Sequence, residues 1–133
     1  MKEEIEYALN KFKDAVAALG EGVRAAKDEL DKDGVIQRFE FCFELLWKTV
    51  KIFVEDKGIE CRSPKECLKS AFKVGYIKNE QIFLEMLEDR NKTAHIYNKK
   101  ESEKIFQKIK SDYFPSMENI LRRLETEIKG GTI

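Results

Sequence analysis

Residues 36–53, IQRFEFCFELLWKTVKIF, decide the fold class of this chain. Apolar residues recur along the stretch at intervals of three and four, which is the period of one face of an α-helix: Ile36, Phe39, Phe43, Leu46, Val50 and Phe53. Four more widen the apolar arc to over half of the circumference: Phe41, Cys42, Leu45 and Ile52. A helix with so wide an apolar surface is expected at the centre of a bundle.

The segment before this stretch has the same period and predicts one long helix from the N-terminus to about Leu30. Gly20 and Gly22 lie inside it, and each costs about 1 kcal/mol relative to alanine, so a hinge there is the alternative. Asp31 to Gly34 are expected to end this helix, with Asp33 as the cap of the next one.

Three further helices are predicted after residue 58. A short one follows the Ser63-Pro64 pair, because serine caps helices and proline suits the first helical position. A fourth starts near Asn79, and the last runs from about Glu101 to Lys129 with a kink at Pro115. The predicted fold is therefore all-α: an antiparallel up-and-down four-helix bundle with one extra short helix.

Composition limits the class of protein further. The 133 residues fit one domain, assigned to residues 1–129, with 130–133 as a frayed tail. The longest apolar run has five residues, against roughly 18 for a membrane span, so neither a transmembrane nor a secretory segment is expected. The 25 basic and 25 acidic residues balance, so any attraction to nucleic acid must be local. The three cysteines form no CxxC pair, which favours reduced thiols, a cytoplasmic protein and no metal or other cofactor.

The densest cluster of functional side chains is residues 89–97, DRNKTAHIY, which include the only histidine. If the helix persists to Tyr97, then Arg90, Asn91, His95 and Tyr97 share one flank. Arg90 also occupies a position where the apolar stripe would continue, so its guanidinium needs an anionic partner or a cleft.

Arginine and histidine side by side can act on a phosphodiester without a metal, since imidazole transfers a proton near neutral pH and guanidinium offsets phosphoryl charge. Residues 90–110 support this with seven basic residues against two acidic ones. The alternative is structural: Arg90 pairs with Asp89 or Glu85, His95 caps a helix end, and the lysines form a solvated face.

Glu40 and Glu44 form a second cluster, one helical turn apart on the mostly apolar second helix. They are candidates to bind a metal, to hold basic groups from a partner helix, or to form only the polar edge of a core helix; Glu44 is also spaced to pair with Lys48. The neighbouring aromatic residues are expected in the core or a subunit interface: Phe39, Phe41, Phe43 and Trp47.

Together, these motifs resemble the nucleotidyltransferase substrate-binding family, a branch of the HEPN-type helical bundles. The resemblance extends from Ile5 to Leu124 and is carried by RFEF at 38–41, EL at 44–45, WK at 47–48, SP at 63–64, EMLEDRN at 85–91 and HIY at 95–97. It implies a bundle that forms a homodimer or higher oligomer. It also implies a partner, a small, separately encoded minimal nucleotidyltransferase, in a toxin–antitoxin type of two-component system.

The resemblance also implies roles for individual residues. Related HEPN toxins are metal-independent ribonucleases that use an arginine, four to six intervening residues and a histidine, which here are Arg90 and His95. A tyrosine two positions later is modified with AMP by the antitoxin, and Tyr97 occupies that position. Two hypotheses follow: a regulatory subunit that binds RNA or a nucleotide through Arg90, His95, Asn91, Tyr97, Glu40 and Glu44, or a ribonuclease that cleaves RNA.

Overall fold

The computed structural model describes residues 2–95 and 98–131, and every regular element among them is helical. Six α-helices occur in chain order: α1 (Lys2–Ala25), α2 (Glu29–Asp56), α3 (Pro64–Lys73), α4 (Glu80–Lys92), α5 (Lys99–Lys108) and α6 (Phe114–Gly131). A 3-10 turn, Thr93–His95, follows α4, and a π-helical turn, Ile109–Tyr113, joins α5 directly to α6. The architecture is the predicted all-α antiparallel bundle, with α1, α2, α4 and the α5–α6 segment as its long members and α3 as the extra short helix. None of the described helices is both long and apolar enough to cross a membrane.

Helix α2 lies at the centre of the bundle, as its wide apolar arc predicts, and contacts α1, α3, α4 and α5. Phe39, Phe43 and Leu46 are fully buried along it. Thr49 is also buried, and its hydroxyl donates a hydrogen bond to the carbonyl oxygen of Ala8 in α1 (3.3 Å). Phe41 differs, because its side chain is 62% exposed. The aromatic residues were expected in the core or in a subunit interface. Because Phe41 does not lie in the core, only the interface remains for it.

The break between α1 and α2 lies earlier than predicted, at residues 26–28. Asp28, rather than Asp33, caps α2: its carboxylate accepts a hydrogen bond from the backbone N–H of Asp31 (2.8 Å). The predicted break therefore lies inside α2. Leu30 continues the apolar spacing of α1 although it is 79% exposed, which explains why the spacing extended the predicted helix too far.

Helix α1 passes through Gly20 and Gly22 as one continuous helix. Gly20 faces α6 so closely that an added Cβ would lie 2.8 Å from Cζ of Phe114. The missing side chain therefore lets α1 and α6 approach each other. Gly34, inside α2, is in a different environment, since an added Cβ would meet no described atom within 4 Å.

The last predicted helix is divided by the π-helical turn, which ends two residues before Pro115. Proline has no N–H to donate to the carbonyl of Ser111, so the regular α-helical pattern is interrupted where the kink was expected. Helix α6 continues to Gly131, beyond the predicted end at Lys129, and residues 132–133 of the predicted tail lie outside the described residues.

The cysteines differ from the sequence expectation. Cys61 and Cys67 form a disulfide that joins the α2–α3 connection to the first turn of α3, and both residues are fully buried. Reduced thiols were predicted because no CxxC pair occurs, but the turn at Ser63 brings the two sulfur atoms together across six positions. Cys42 remains a free, buried thiol, and burial raises its pKa to about 12.

Candidate functional site

Arg90, near the end of α4, reaches across to α2. Its Nη2 donates a hydrogen bond to Oε2 of Glu44 (2.5 Å), and the same oxygen accepts one from Nε1 of Trp47 (2.8 Å). The two charged side chains are 27% and 33% exposed, so this ion pair lies at the edge of the core. The anionic partner that the position of Arg90 requires is therefore Glu44, and the predicted pair between Glu44 and Lys48 is wrong.

The alternative partners considered for Arg90 make other contacts. Glu85 accepts a hydrogen bond from Nζ of Lys108 (2.8 Å), and Asp89 accepts one from the hydroxyl of Tyr113. The interpretation that Arg90 pairs with either acid is therefore wrong. Local spacing favoured these partners, but the packing of α4 between α2 and the α5–α6 segment directs each charge to a different neighbour.

Glu40 lies one turn before Glu44 on α2, and the hydroxyl of Thr93 lies within hydrogen-bonding distance of its carboxylate. The same hydroxyl is 2.7 Å from the carbonyl oxygen of Arg90, so it links the end of α4 to α2. Glu44 thus holds a basic group from another helix, which is one of the three roles considered, whereas Glu40 holds a neutral hydroxyl. Within residues 2–95 and 98–131, no group of three or more His, Cys, Asp or Glu side chains is arranged to hold a metal ion.

The remaining residues of the predicted cluster lie at and beyond the end of α4. The α-helix ends at Lys92, so the expected α-helical flank does not continue, and His95 lies exposed in the 3-10 turn. Asn91 is exposed, and its Oδ1 accepts a long hydrogen bond from Nη1 of Arg90 (3.4 Å). The structure thus joins Arg90 directly to Asn91 and Glu44, and Thr93 connects it to Glu40. His95 lies in the adjoining turn, whereas Tyr97 lies outside the described residues.

Tyr113, in the π-helical turn, packs beneath this site. Its ring stacks on Phe39 with 5.4 Å between centroids, and its hydroxyl donates to Asp89. Burial and the Asp89 carboxylate raise the pKa of Tyr113, so the phenol remains a neutral donor. Sequence reasoning placed Tyr113 in the core without a role for its hydroxyl, although a buried tyrosine hydroxyl ordinarily requires an acceptor.

Three residues on α4 therefore form what we call the polar seam: Glu85, Asp89 and Arg90, each paired with a different neighbouring residue. The hydrogen bond with Lys108 lowers the pKa of Glu85, and the same bond raises the pKa of Lys108. Sequence reasoning also missed the hydrogen bonds that Thr93 and Trp47 donate to the two carboxylates of α2. A hydroxyl three residues after Arg90 was the available signal, because such groups often bond back to the end of a helix.

The hydrogen bond to Glu44 fixes one side of the Arg90 guanidinium and leaves N–H groups on its other side available as donors. Glu44 holds Nη2, whereas Nη1 makes only the long contact to Asn91 among the described residues. A guanidinium held in this way can present its remaining N–H groups to a phosphoryl oxygen in a fixed orientation. His95, exposed in the turn that follows, adds a further polar side chain next to this helix end. The arrangement is suited to binding a phosphate-bearing ligand.

Known proteins resemble this chain in sequence and in fold. A family model described as "Nucleotidyltransferase substrate binding protein like" matches residues 4–126. A crystal structure of a Thermus thermophilus protein has a TM-score of 0.79 at 34% identity and covers 85% of this chain and 98% of that one.

The structure of HI0074 from Haemophilus influenzae, described as revealing the fold of a substrate binding domain of a nucleotidyltransferase, has a TM-score of 0.68. It is 20% identical and covers 94% of this chain and 99% of that one, so it supports the fold alone. No curated protein matches the sequence. Because the family match spans residues 4–126 and the Thermus structure is 34% identical over most of both chains, this chain belongs to the nucleotidyltransferase substrate binding protein-like family.

Proposed function

We propose that this protein is the substrate-binding, regulatory subunit of a two-component nucleotidyltransferase and pairs with a small, separately encoded catalytic chain. The observation that carries the proposal is the family match over residues 4–126. The description of HI0074 as a substrate binding domain of a nucleotidyltransferase supports the same role. The finer proposal is a toxin–antitoxin type of pairing, and it rests on the spacing of Arg90, His95 and Tyr97.

The polar seam gives this role a physical basis. Glu44 orients the guanidinium of Arg90, and Asn91 and His95 lie exposed beside it. A phosphate group of the substrate would accept hydrogen bonds from Arg90 and from the neighbouring donors. Because these groups lie at the end of α4 rather than in the core, a bound partner can reach them.

The partnership predicts a minimal nucleotidyltransferase gene beside this one. It is tested by co-expressing the two chains and purifying through a tag on either protein. We expect one complex that contains both chains. Incubating that complex with ATP should add one AMP group to Tyr97, and a Tyr97→Phe variant should show no added mass. Recovery of the two chains separately from both tags would contradict the pairing.

A homodimer belongs to the same proposal, and the surface of α2 is its expected interface. Phe39 is fully buried and Trp47 is partly buried, so the most exposed aromatic side chain of α2 is Phe41, which is 62% exposed. Burying an exposed phenyl ring stabilises an interface by roughly 1.5–3 kcal/mol. Light scattering should give a dimeric mass that a Phe41→Ser variant reduces, and a monomeric mass for the unchanged protein would contradict this.

Ribonuclease activity is the second candidate function, and one observation favours it: His95 is exposed and makes no described hydrogen bond or ion pair. A free imidazole can accept the proton of a ribose 2′-hydroxyl while that oxygen attacks the phosphorus and the bond to the 5′-oxygen breaks; the leaving 5′-oxygen takes a proton from water. Arg90 would offset charge on the phosphoryl oxygens.

We expect His95→Ala to abolish RNA cleavage while changing the free energy of unfolding by less than about 0.5 kcal/mol, because the side chain is exposed. Lys65→Gln is the matched control, since Lys65 is also exposed, has no described partner and lies outside residues 90–110. RNA decay at equal rates with wild type and His95→Ala would remove His95 from the mechanism.

A further inference from the structure

A cavity of about 350 Å³ lies between the turn that joins α3 to α4 and the first half of α6. It shares no lining residue with the polar seam. Its apolar walls are formed by Tyr76, Ile77, Phe83 and Ile120. Its polar lining comes from both elements: Lys78, Asn79, Ser116, Asn119 and Arg123.

The lining is rich in hydrogen-bond donors and contains no carboxylate among the described residues. Lys78 is exposed, and neither it nor Ser116 makes a side-chain hydrogen bond or ion pair to the described part of the chain. Asn119 accepts a hydrogen bond from Arg122 through Oδ1 (2.5 Å), which leaves its amide N–H groups as donors. A concave surface with these groups and no acid is complementary to an anion.

Arg123 adds a guanidinium that is already oriented. Its Cζ lies 5.3 Å from the centre of the Tyr76 ring, and its Nη1 donates to Glu127 (3.0 Å). Glu127 also pairs with Nζ of Lys57 (2.8 Å), so this carboxylate keeps a cationic partner if Arg123 turns towards a ligand. The remaining N–H groups of Arg123 have no acceptor among the described residues.

Tyr76 provides an independent indication of an incomplete site. The residue is 3% exposed, and its hydroxyl is buried with no hydrogen-bond partner in the described part of the chain. Burial raises the pKa of Tyr76, so the hydroxyl stays protonated and can donate. An unpaired buried polar group costs about 1–3 kcal/mol, which an acceptor that reached this hydroxyl would recover.

We infer that the cavity between the α3–α4 turn and α6 binds an organic phosphate, with the phosphoryl group held by Lys78, Ser116, Asn119 and Arg123. Donors from two elements suit the several oxygen atoms of a phosphate better than the two of a carboxylate. The cavity is larger than a phosphate alone, and its apolar walls can take the organic part. The inference goes beyond the proposed function, because the cavity is a phosphate site separate from Arg90, and binding needs no partner chain.

The test is a titration of the full-length protein, followed by the amide NMR signals, with adenosine 5′-monophosphate, inorganic phosphate and adenosine as separate probes. The two phosphate-containing probes should shift signals of residues 75–79 and 116–123, with inorganic phosphate binding more weakly. Adenosine should leave the same signals unchanged. If neither phosphate probe shifts these signals, or if adenosine binds as tightly as its monophosphate, the inference is overturned.

Two variants locate the site. Lys78→Gln removes a positive charge, and Ser116→Ala removes a hydroxyl donor. Neither side chain has a described partner, so folding should be unaffected, and the double variant should weaken binding of the monophosphate roughly tenfold. Lys65→Gln removes an exposed lysine of α3, outside both the cavity and residues 90–110, and should bind like wild type. Equal affinity of the double variant and wild type would overturn the inference.

The nucleotidyltransferase pull-down separates this inference from the proposed function. If phosphate binds but no complex forms, the proposed partnership is contradicted and the inferred cavity site is retained. A complex that forms while the cavity fails to bind phosphate would remove only the cavity site.

Discussion

The guanidinium of Arg90 takes a position on α4 that the apolar spacing would give to an aliphatic residue. The need for an anionic partner could be predicted from that position, because an unpaired charge at a packed face is too costly. The identity of the partner could not, since Glu44 lies 46 residues away and only the packing of α4 on α2 brings the two together. The same limit applies to the contact between Thr93 and Glu40.

Glu44→Gln is expected to lower the free energy of unfolding by about 1–2 kcal/mol, because it leaves Arg90 without its counter-charge. The loss is smaller than that for a fully buried pair, since both side chains are partly exposed. Urea unfolding measures it. Glu55→Gln is the control: it breaks an exposed pair with Lys51, and its cost should stay below about 0.5 kcal/mol. Equal losses of unfolding free energy in the two variants would show that the pair of Arg90 and Glu44 contributes no more than an exposed ion pair.

At the scale of elements, the type and order of the helices could be predicted and the boundary between α1 and α2 could not. Leu30 keeps the apolar spacing of α1, so the periodicity gives no sign that the chain has already turned at residues 26–28. The capping bond of Asp28 decides the boundary, and the three aspartates within residues 28–33 made several caps equally plausible from the sequence. Pro115 predicted an interruption, but its form, a π-helical turn that contains Tyr113 stacked on Phe39, could not be predicted from the sequence.

Two glycines inside helices should respond oppositely to alanine. Gly34→Ala should raise the free energy of unfolding by about 0.5–1 kcal/mol, because alanine favours the helix and the added Cβ meets open space. Gly20→Ala should lose this gain, because its Cβ would lie 2.8 Å from Phe114 and force α1 and α6 apart. Thermal unfolding of both variants gives the comparison, and a similar rise in melting temperature would contradict the close approach at Gly20.

For the whole molecule, several long-range contacts predict how stability depends on pH. Hydrogen bonds from Lys57 and Arg123 lower the pKa of Glu127, and those from Lys108 and Gln81 lower the pKa of Glu85. A lowered pKa in the folded state means that the stabilisation is present above the ordinary value of 4.5 and is lost as the pH falls through the folded value.

The melting temperature should therefore fall as the pH drops below about 4.5. The melting temperature of Glu127→Gln should fall less steeply over this pH range, because the variant lacks one carboxylate whose pKa is lowered in the folded state. Glu118→Gln, in the same helix and without a described ion pair, serves as the control and should follow wild type. An unchanged slope in Glu127→Gln would contradict the role of that carboxylate.

The Cys61–Cys67 disulfide is a second property of the whole fold. Closing a loop with a sequence separation of 6 should stabilise the protein by about 2 kcal/mol through the unfolded chain. Dithiothreitol should lower the urea midpoint of wild type accordingly and leave a Cys61→Ala/Cys67→Ala variant unchanged. Cys42 should resist alkylation in the folded state, because burial keeps its thiol protonated. An identical midpoint with and without reductant would show that the bridge is not formed in solution.

The π-helical turn at Ile109–Tyr113 predicts where homologous sequences can differ in length. Such a turn accommodates about one more residue than a regular α-helical turn would. Loss of a single residue there would convert the α5–α6 segment into an uninterrupted helix with both ends still in phase. Alignments of homologous sequences should therefore tolerate a one-residue gap at this place, whereas a gap elsewhere in the same segment would rotate every later side chain by about 100°.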